Sequence, residues 1–337
     1  MRTETSAPPG VGIAGRLGWR LPLLVVIAAL VIVLPFGLGN FWVRVMTTGL
    51  MFAGLGLAMQ IMIGLAGWPA LGNVVFFGVG AYAASLAHLR ADLPIYLAIP
   101  LGGFIAALVA LVAARAMLSL RGSYFLMATV ALNFAMLELT MVARAITNGP
   151  QGLTLPPAIS GSPQFVYTFF YFVFLAVLTL SAVVLLLLRR SRLGYGLLAI
   201  KGNEDAALML GVPTFRYKAI AWALSAGLTG IVGGVYAFWI GYIDPESVYD
   251  LLISLAVILM VLLGGRLLIV GPVVGALAYE FVDVVAWREF NEARLAVLGI
   301  ALVLVVRLLP GGIPELYDHL TRYRSARASR QEEQRAD

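Results

Sequence analysis

AIAWALSAGLTGIVGGVYAFWIGYI, residues 219–243, separates Lys218 from Asp244 without one charged side chain. As a helix it rises roughly 37 Å at about 1.5 Å per residue, enough to cross the roughly 30 Å hydrocarbon core of a bilayer. Gly230 and Gly234 stand one turn apart inside it, so the backbone of a second helix can approach closely.

The same signature recurs outward in both directions. Residues 21–43 and 93–114 are uncharged stretches of single-span length, while 45–89 and 145–188 are longer and must hold a turn or loop besides helix. Gly64, Gly67, Trp68 and Pro69 interrupt the first, and the Gly/Pro/Ser-rich run 147–163 opens the second. Spans are expected near 21–38, 41–64, 69–88, 93–114, 122–143, 165–188, 219–241, 251–265, 268–286 and 295–309. The fold class is therefore all-α, a polytopic membrane protein of about ten transmembrane helices within a range of eight to eleven. The short eighth and tenth spans and the Gly/Pro-rich third and ninth are candidates for broken or re-entrant helices.

Composition excludes most chemistry. The chain has 61% hydrophobic and 12% charged residues, against roughly 25% charged in a soluble domain. With no cysteine there is no disulfide framework, Cys-ligated zinc or thiolate nucleophile, and His88 and His319 leave little for a metal site or a catalytic triad. No catalytic residue, no metal ligand and no bound cofactor is expected in this chain. A Walker loop needs Gly-Lys-Ser/Thr, but Lys201 is followed by Gly202 and Lys218 by Ala219.

Placing residue 1 in the cytoplasm puts 18 of the 23 Lys and Arg on the cytoplasmic side and leaves only Arg44, Arg90, Arg144, Arg288 and Arg294 outside. Both termini are then cytoplasmic. The division expected is a tail over 1–20, a transmembrane domain over 21–310 that includes a cytoplasmic loop at 189–218, and a basic tail over 311–337. The net charge of +6 reflects this topology and contact with anionic lipid rather than nucleic acid.

Polar groups at membrane depth are costly unless paired or wet. Glu138 falls in the fifth span, and Glu280 and Asp283 share a face of the ninth. They would serve a proton relay in a self-sufficient secondary transporter, or lie near the outer surface with Arg144, Arg288 or Arg294. Gln60, Asn73 and Asn133 suit hydrogen bonds between helices or the lining of a cavity, and bonding between helices is the commoner role. From position and polarity, Phe76, Phe77, Tyr124, Phe125, Asn133 and Glu138 are candidates for a translocation path.

The loop 189–218 carries a built helix. Asn203 is a good N-cap, Glu204 and Asp205 place negative charge on the first turn, and Ala206, Ala207, Leu208, Met209 and Leu210 propagate it until Gly211 and Pro213 stop it. Its apolar residues, exposed on a short rigid element, suit a docking surface or a helix lying on the bilayer.

Four blocks together resemble one family. The loop and following span, Ser191 to Ala237 (SRLGYGLLAIKGNEDAALMLGVPTFRYKAIAWALSAGLTGIVGGVYA), are similar to those of LivM-type permease subunits of branched-chain amino acid ABC transporters. Gly64 to Tyr82 (GLAGWPALGNVVFFGVGAY), Arg121 to Phe134 (RGSYFLMATVALNF) and Leu259 to Ala276 (LMVLLGGRLLIVGPVVGA) resemble further blocks in the same order. Lys201 and Gly202 depart from the Arg-Glu that often precedes Asn-Glu there, and Arg266 to Leu268 depart from the small residues that usually follow Gly-Gly. The resemblance implies a homologous permease partner in a heterodimer, two cytoplasmic ATPases holding the ATP and Mg, and an extracytoplasmic solute-binding protein. It implies residence in a bacterial inner membrane. It also implies that Asn203 to Gly211 is the coupling helix seated on an ATPase. Branched-chain amino acids are the first expectation for the solute, and urea, amides, sugars and nucleosides have related membrane subunits.

Overall fold

The computed structural model describes residues 33–37, 39–120, 122–159, 161–264 and 269–286. Its long helices are α1 (Asn40–Gln60, continued by a π-helical turn Ile61–Ala66), α2 (Val74–Ala91), α3 (Ile95–Met117), α4 (Ser123–Val142), α6 (Pro163–Arg190), α9 (Thr214–Ile240), α11 (Leu251–Gly264) and α12 (Val270–Ala286). Short elements fill the connections: α5 (Arg144–Thr147), β1 (Leu153–Thr154), α7 (Arg192–Gly202), α8 (Glu204–Met209), β2 (Tyr242–Ile243) and α10 (Pro245–Val248). Among the described residues, seven helical stretches are long and apolar enough to cross a membrane, counting α10 and α11 as one. They match the second to eighth expected spans, and α12 matches the ninth. The first is described only at 33–37, which is helical, and the tenth lies outside the described residues.

Two boundaries differ from expectation for physical reasons. The third span was expected from residue 69, but α2 begins at Val74, because Gly67 takes φ +76 and the chain re-enters through a non-helical segment around Pro69. The seventh was expected from residue 219, but α9 begins at Thr214, directly after Pro213, and carries Arg216 and Lys218 on its first turns.

At the centre, α9 packs on α2, α3 and α1. The contact with α2 is backbone against backbone: a Cβ on Gly80 would land on the carbonyl and Cα of Gly230, and one on Gly233 would strike the carbonyl of Phe77. Lipid provides no hydrophobic drive for helices to associate, so such close van der Waals approach is what holds them. By contrast α3, α4 and α6 leave much of their length exposed, with Val112 76% and Leu187 66% accessible, as lipid-facing side chains are.

The end of the bundle opposite loop 189–218 is sealed by polar contacts. β1 pairs antiparallel with β2, and Arg90 Nη2 donates to the carbonyls of Ala145 (2.6 Å) and Ile146 (2.8 Å) at the end of α5. His88, at the same end, is half-buried with Nδ1 2.8 Å from the Leu93 carbonyl.

Candidate functional site

Loop 189–218 folds as two helices. The first, α7, was not expected, because Gly194 and Gly196 weaken its local helix signal; both glycines are spent on close contacts, Gly194 against Leu188 and Arg189 and Gly196 against the Tyr217 ring. Ser191 caps α7 by accepting from the Gly194 N–H (3.2 Å), and Leu197 and Ile200 are buried beneath it.

The second helix, α8, was legible almost residue by residue. Asn203 Oδ1 accepts from the Ala206 N–H at 3.0 Å, as an N-cap should. At the other end Gly211 takes φ +80, its N–H donates to the Leu208 carbonyl (2.9 Å), and the Val212 N–H donates to the Ala207 carbonyl (3.0 Å), a Schellman termination. Ala207 is buried and turns the helix onto the protein. Leu208, Met209 and Leu210 point away, 57%, 90% and 83% exposed. Replacing the cap, Asn203→Ala, is expected to cost about 1 kcal/mol of local stability. Faster amide hydrogen exchange confined to residues 204–210 would report it.

What the sequence did not reveal is how α8 is tied to the bundle. Glu204, read as a dipole-complementing residue, forms a salt bridge with Lys218, whose side chain is only 2% exposed. The Lys218 ammonium also lies 3.4 Å from the centre of the Trp68 ring. Lys201 Nζ donates to the Gly64 carbonyl at 2.8 Å. Both attachments end on the segment joining α1 to α2. The only sequence signal was a lysine placed just at the edge of an uncharged run.

From Trp68 an aromatic series leads into the bundle. Its ring meets Phe125 (5.2 Å), Phe125 meets Trp222 (5.7 Å), and Trp222 meets Phe76 (5.5 Å). Of the six residues singled out for a translocation path, Phe76 and Phe125 thus come together through Trp222. Phe77 packs instead on Tyr236 (5.1 Å), and Asn133 donates to the Tyr249 carbonyl (2.8 Å). All four are buried within the chain. Tyr124, 74% exposed, and Glu138 lie on the outward face of α4, so the six do not form one surface. Glu280 is buried beside Gly49 of α1; the side chain of Asp283 and residues Arg288 and Arg294 lie outside the described residues.

Asn73 acts as expected, donating from Nδ2 to Thr229 (3.2 Å). Nearby, Thr129 Oγ1 accepts from the Gly72 N–H (3.2 Å) and Ser254 Oγ from the Val74 N–H (2.9 Å), so the start of α2 is held by hydroxyls from α4 and α11. Among the described residues no group of three metal-ligating side chains is present. The arrangement sets a short helix with exposed apolar side chains at one end and a polar junction at depth.

The family model for the branched-chain amino acid transport system permease component matches residues 41–306. The high-affinity branched-chain amino acid transport system permease protein LivM of Escherichia coli (strain K12) is 27% identical, over 86% of this chain and 74% of that protein. Its counterpart from Salmonella typhimurium is 26% identical over the same shares. The L-arabinose ABC transporter permease protein AraH of Azospirillum brasilense is 37% identical across 79 residues, 23% of each chain. No solved structure matches the chain.

Proposed function

This chain belongs to the branched-chain amino acid permease family of ABC transporters, and from that premise we propose that it is one transmembrane subunit of an ATP-driven importer for branched-chain or similar small amino acids. It pairs with a homologous permease, receives solute from an extracytoplasmic binding protein and takes its work from two cytoplasmic ATPases. The membrane is the bacterial inner membrane, with loop 189–218 in the cytoplasm. The observation that carries this reading is α8: a capped helix that is attached to the α1–α2 segment through Lys218 and presents three apolar side chains outward.

In this reading, closure of the ATPase pair displaces α8, and the displacement reaches the span interior along Lys218, Trp68 and the aromatic series. Coupling of this kind needs a rigid element with two discrete positions. The caps at Asn203 and Gly211 supply the rigidity.

Leu208→Asp with Leu210→Asp removes the apolar docking surface without touching the caps. We expect the permease to insert and fold normally while co-purification of the ATPases and ATP-driven leucine uptake are lost. Retained ATPases with normal uptake would refute the role of α8. A sugar, the solute in the name of the arabinose relative, is the alternative cargo. Leucine uptake that an excess of L-arabinose leaves unchanged would exclude it. Uptake by this chain alone, driven by a proton gradient and indifferent to ATP, would instead favour a secondary transporter using Glu138 or Glu280 and Asp283.

A further inference from the structure

A cleft inside the bundle, where α1, α2, α9 and α11 meet, has one unanswered polar group. It is bounded by Met59, Phe77 and Val257 on its apolar side and by Asn73, Thr229 and Ser254 on the other. Thr229 lies roughly 16 Å from the end of α9, so the cleft is well inside the membrane. Asn73 is 5% exposed, and its Oδ1 has no hydrogen-bond partner. An unpaired buried carbonyl oxygen costs about 1–3 kcal/mol, so it is a site awaiting a donor.

Opposite that acceptor stands a donor. Ser254 Oγ accepts from the Val74 N–H, and among the described residues its own proton is not given to any other group. Val74 opens α2, an 18-residue helix whose amino end carries positive partial charge. The hydroxyl therefore relays that polarity into the cleft. The junction thus presents an acceptor and a donor beside an apolar wall.

We propose that this cleft is the subsite for the zwitterionic head of an aliphatic amino acid in transit, with its ammonium on Asn73 Oδ1 and its carboxylate on the Ser254 hydroxyl. The aliphatic side chain lies against Met59, Phe77 and Val257. This rests on the importer function proposed above and specifies the cargo class at one place in the membrane. In the conformation described the cleft has room for about one water, so the head group enters only when α1 and α11 part from α2.

The chain has no cysteine, so a single introduced thiol can be followed. Val257→Cys places it on the apolar wall, away from both recognition groups. In the complete transporter in proteoliposomes, labelling by methyl methanethiosulfonate is measured in nucleotide-free and ATP-bound states. L-Leucine at millimolar concentration should slow labelling at least tenfold in the state that labels. 4-Methylpentanoate, which lacks the ammonium, and 3-methylbutylamine, which lacks the carboxylate, should not. Adding Asn73→Ala or Ser254→Ala should abolish the protection while labelling persists. If Val257→Cys fails to assemble, Met59→Cys serves. No labelling in either state, no protection by leucine, or equal protection by all three compounds would overturn the subsite. ATP-driven leucine uptake by the unsubstituted transporter, measured in parallel, tests the importer reading separately.

Discussion

Glu204→Gln should destabilise the protein by about 3–5 kcal/mol, far more than an exposed loop substitution normally does. The reason is the partner it leaves behind. Lys218 is almost fully buried, and its ammonium is neutralised by Glu204 and rests on the Trp68 ring. Removing the carboxylate takes away the anion bonded to a cation in a poorly solvated place. A purified sample in detergent should show this as a lowered unfolding temperature. Lys218→Met combined with Glu204→Gln removes both charges and should recover much of the loss, because an apolar side chain of similar length suits the site. That rescue is the sharper half of the test: if the double substitution is as damaging as the sum of the singles, the two groups are not a pair. The double variant should fold yet transport poorly, since the charged link from α8 through Lys218 to the Trp68 ring is then gone.

Gly80→Val and Gly233→Val should each prevent accumulation of folded protein. Each places its Cβ into backbone of the facing helix, so α2 and α9 cannot keep their separation, and no side-chain rotamer relieves the overlap. A cost of about 4 kcal/mol or more is expected. Gly202→Ala is the control, because a Cβ there meets nothing within 4 Å, and it should leave yield and unfolding temperature unchanged. Normal yield of monodisperse Gly80→Val protein would show that the α2–α9 contact is looser than described.

These two predictions mark what the sequence made legible and what it did not. Long uncharged runs announce spans because bilayer thickness sets a minimum length, and seven of the ten expected spans coincide with helices of crossing length to within a few residues. The helix α8 was equally visible, since caps are local chemistry: Asn203 and Gly211 act on neighbours three or four residues away. Glycine packing was visible as a pattern around Gly230, although its partner Gly80, 150 residues earlier, was not. The attachment of Lys218 was invisible for the same reason. Trp68 and Lys218 are far apart in the chain, and only the folded bundle brings the cation over the ring. Asn73 was recognised as a group for bonding between helices, but that its nitrogen bonds while its oxygen stays idle appears only when every neighbour is placed.

The helix α7 failed to declare itself because glycine lowers local helix propensity, while the tertiary contacts that those glycines permit outweigh it. The candidate path residues divide for a related reason. Position along a helix is readable from sequence, but which face meets lipid and which meets another helix depends on the bundle, so Phe125 and its neighbour Tyr124 end on opposite sides.

Met209 offers the most direct test of α8 as a lever driven from the cytoplasm. It is 90% exposed at the tip of the helix, and the chain has no other thiol to compete. With Met209→Cys in the complete transporter, a short bifunctional thiol-to-amine reagent should cross-link this position to an ATPase subunit, with a yield that changes when ATP is bound. Absence of that cross-link, together with modification of the same position by a membrane-impermeant thiol reagent added outside intact cells, would contradict it.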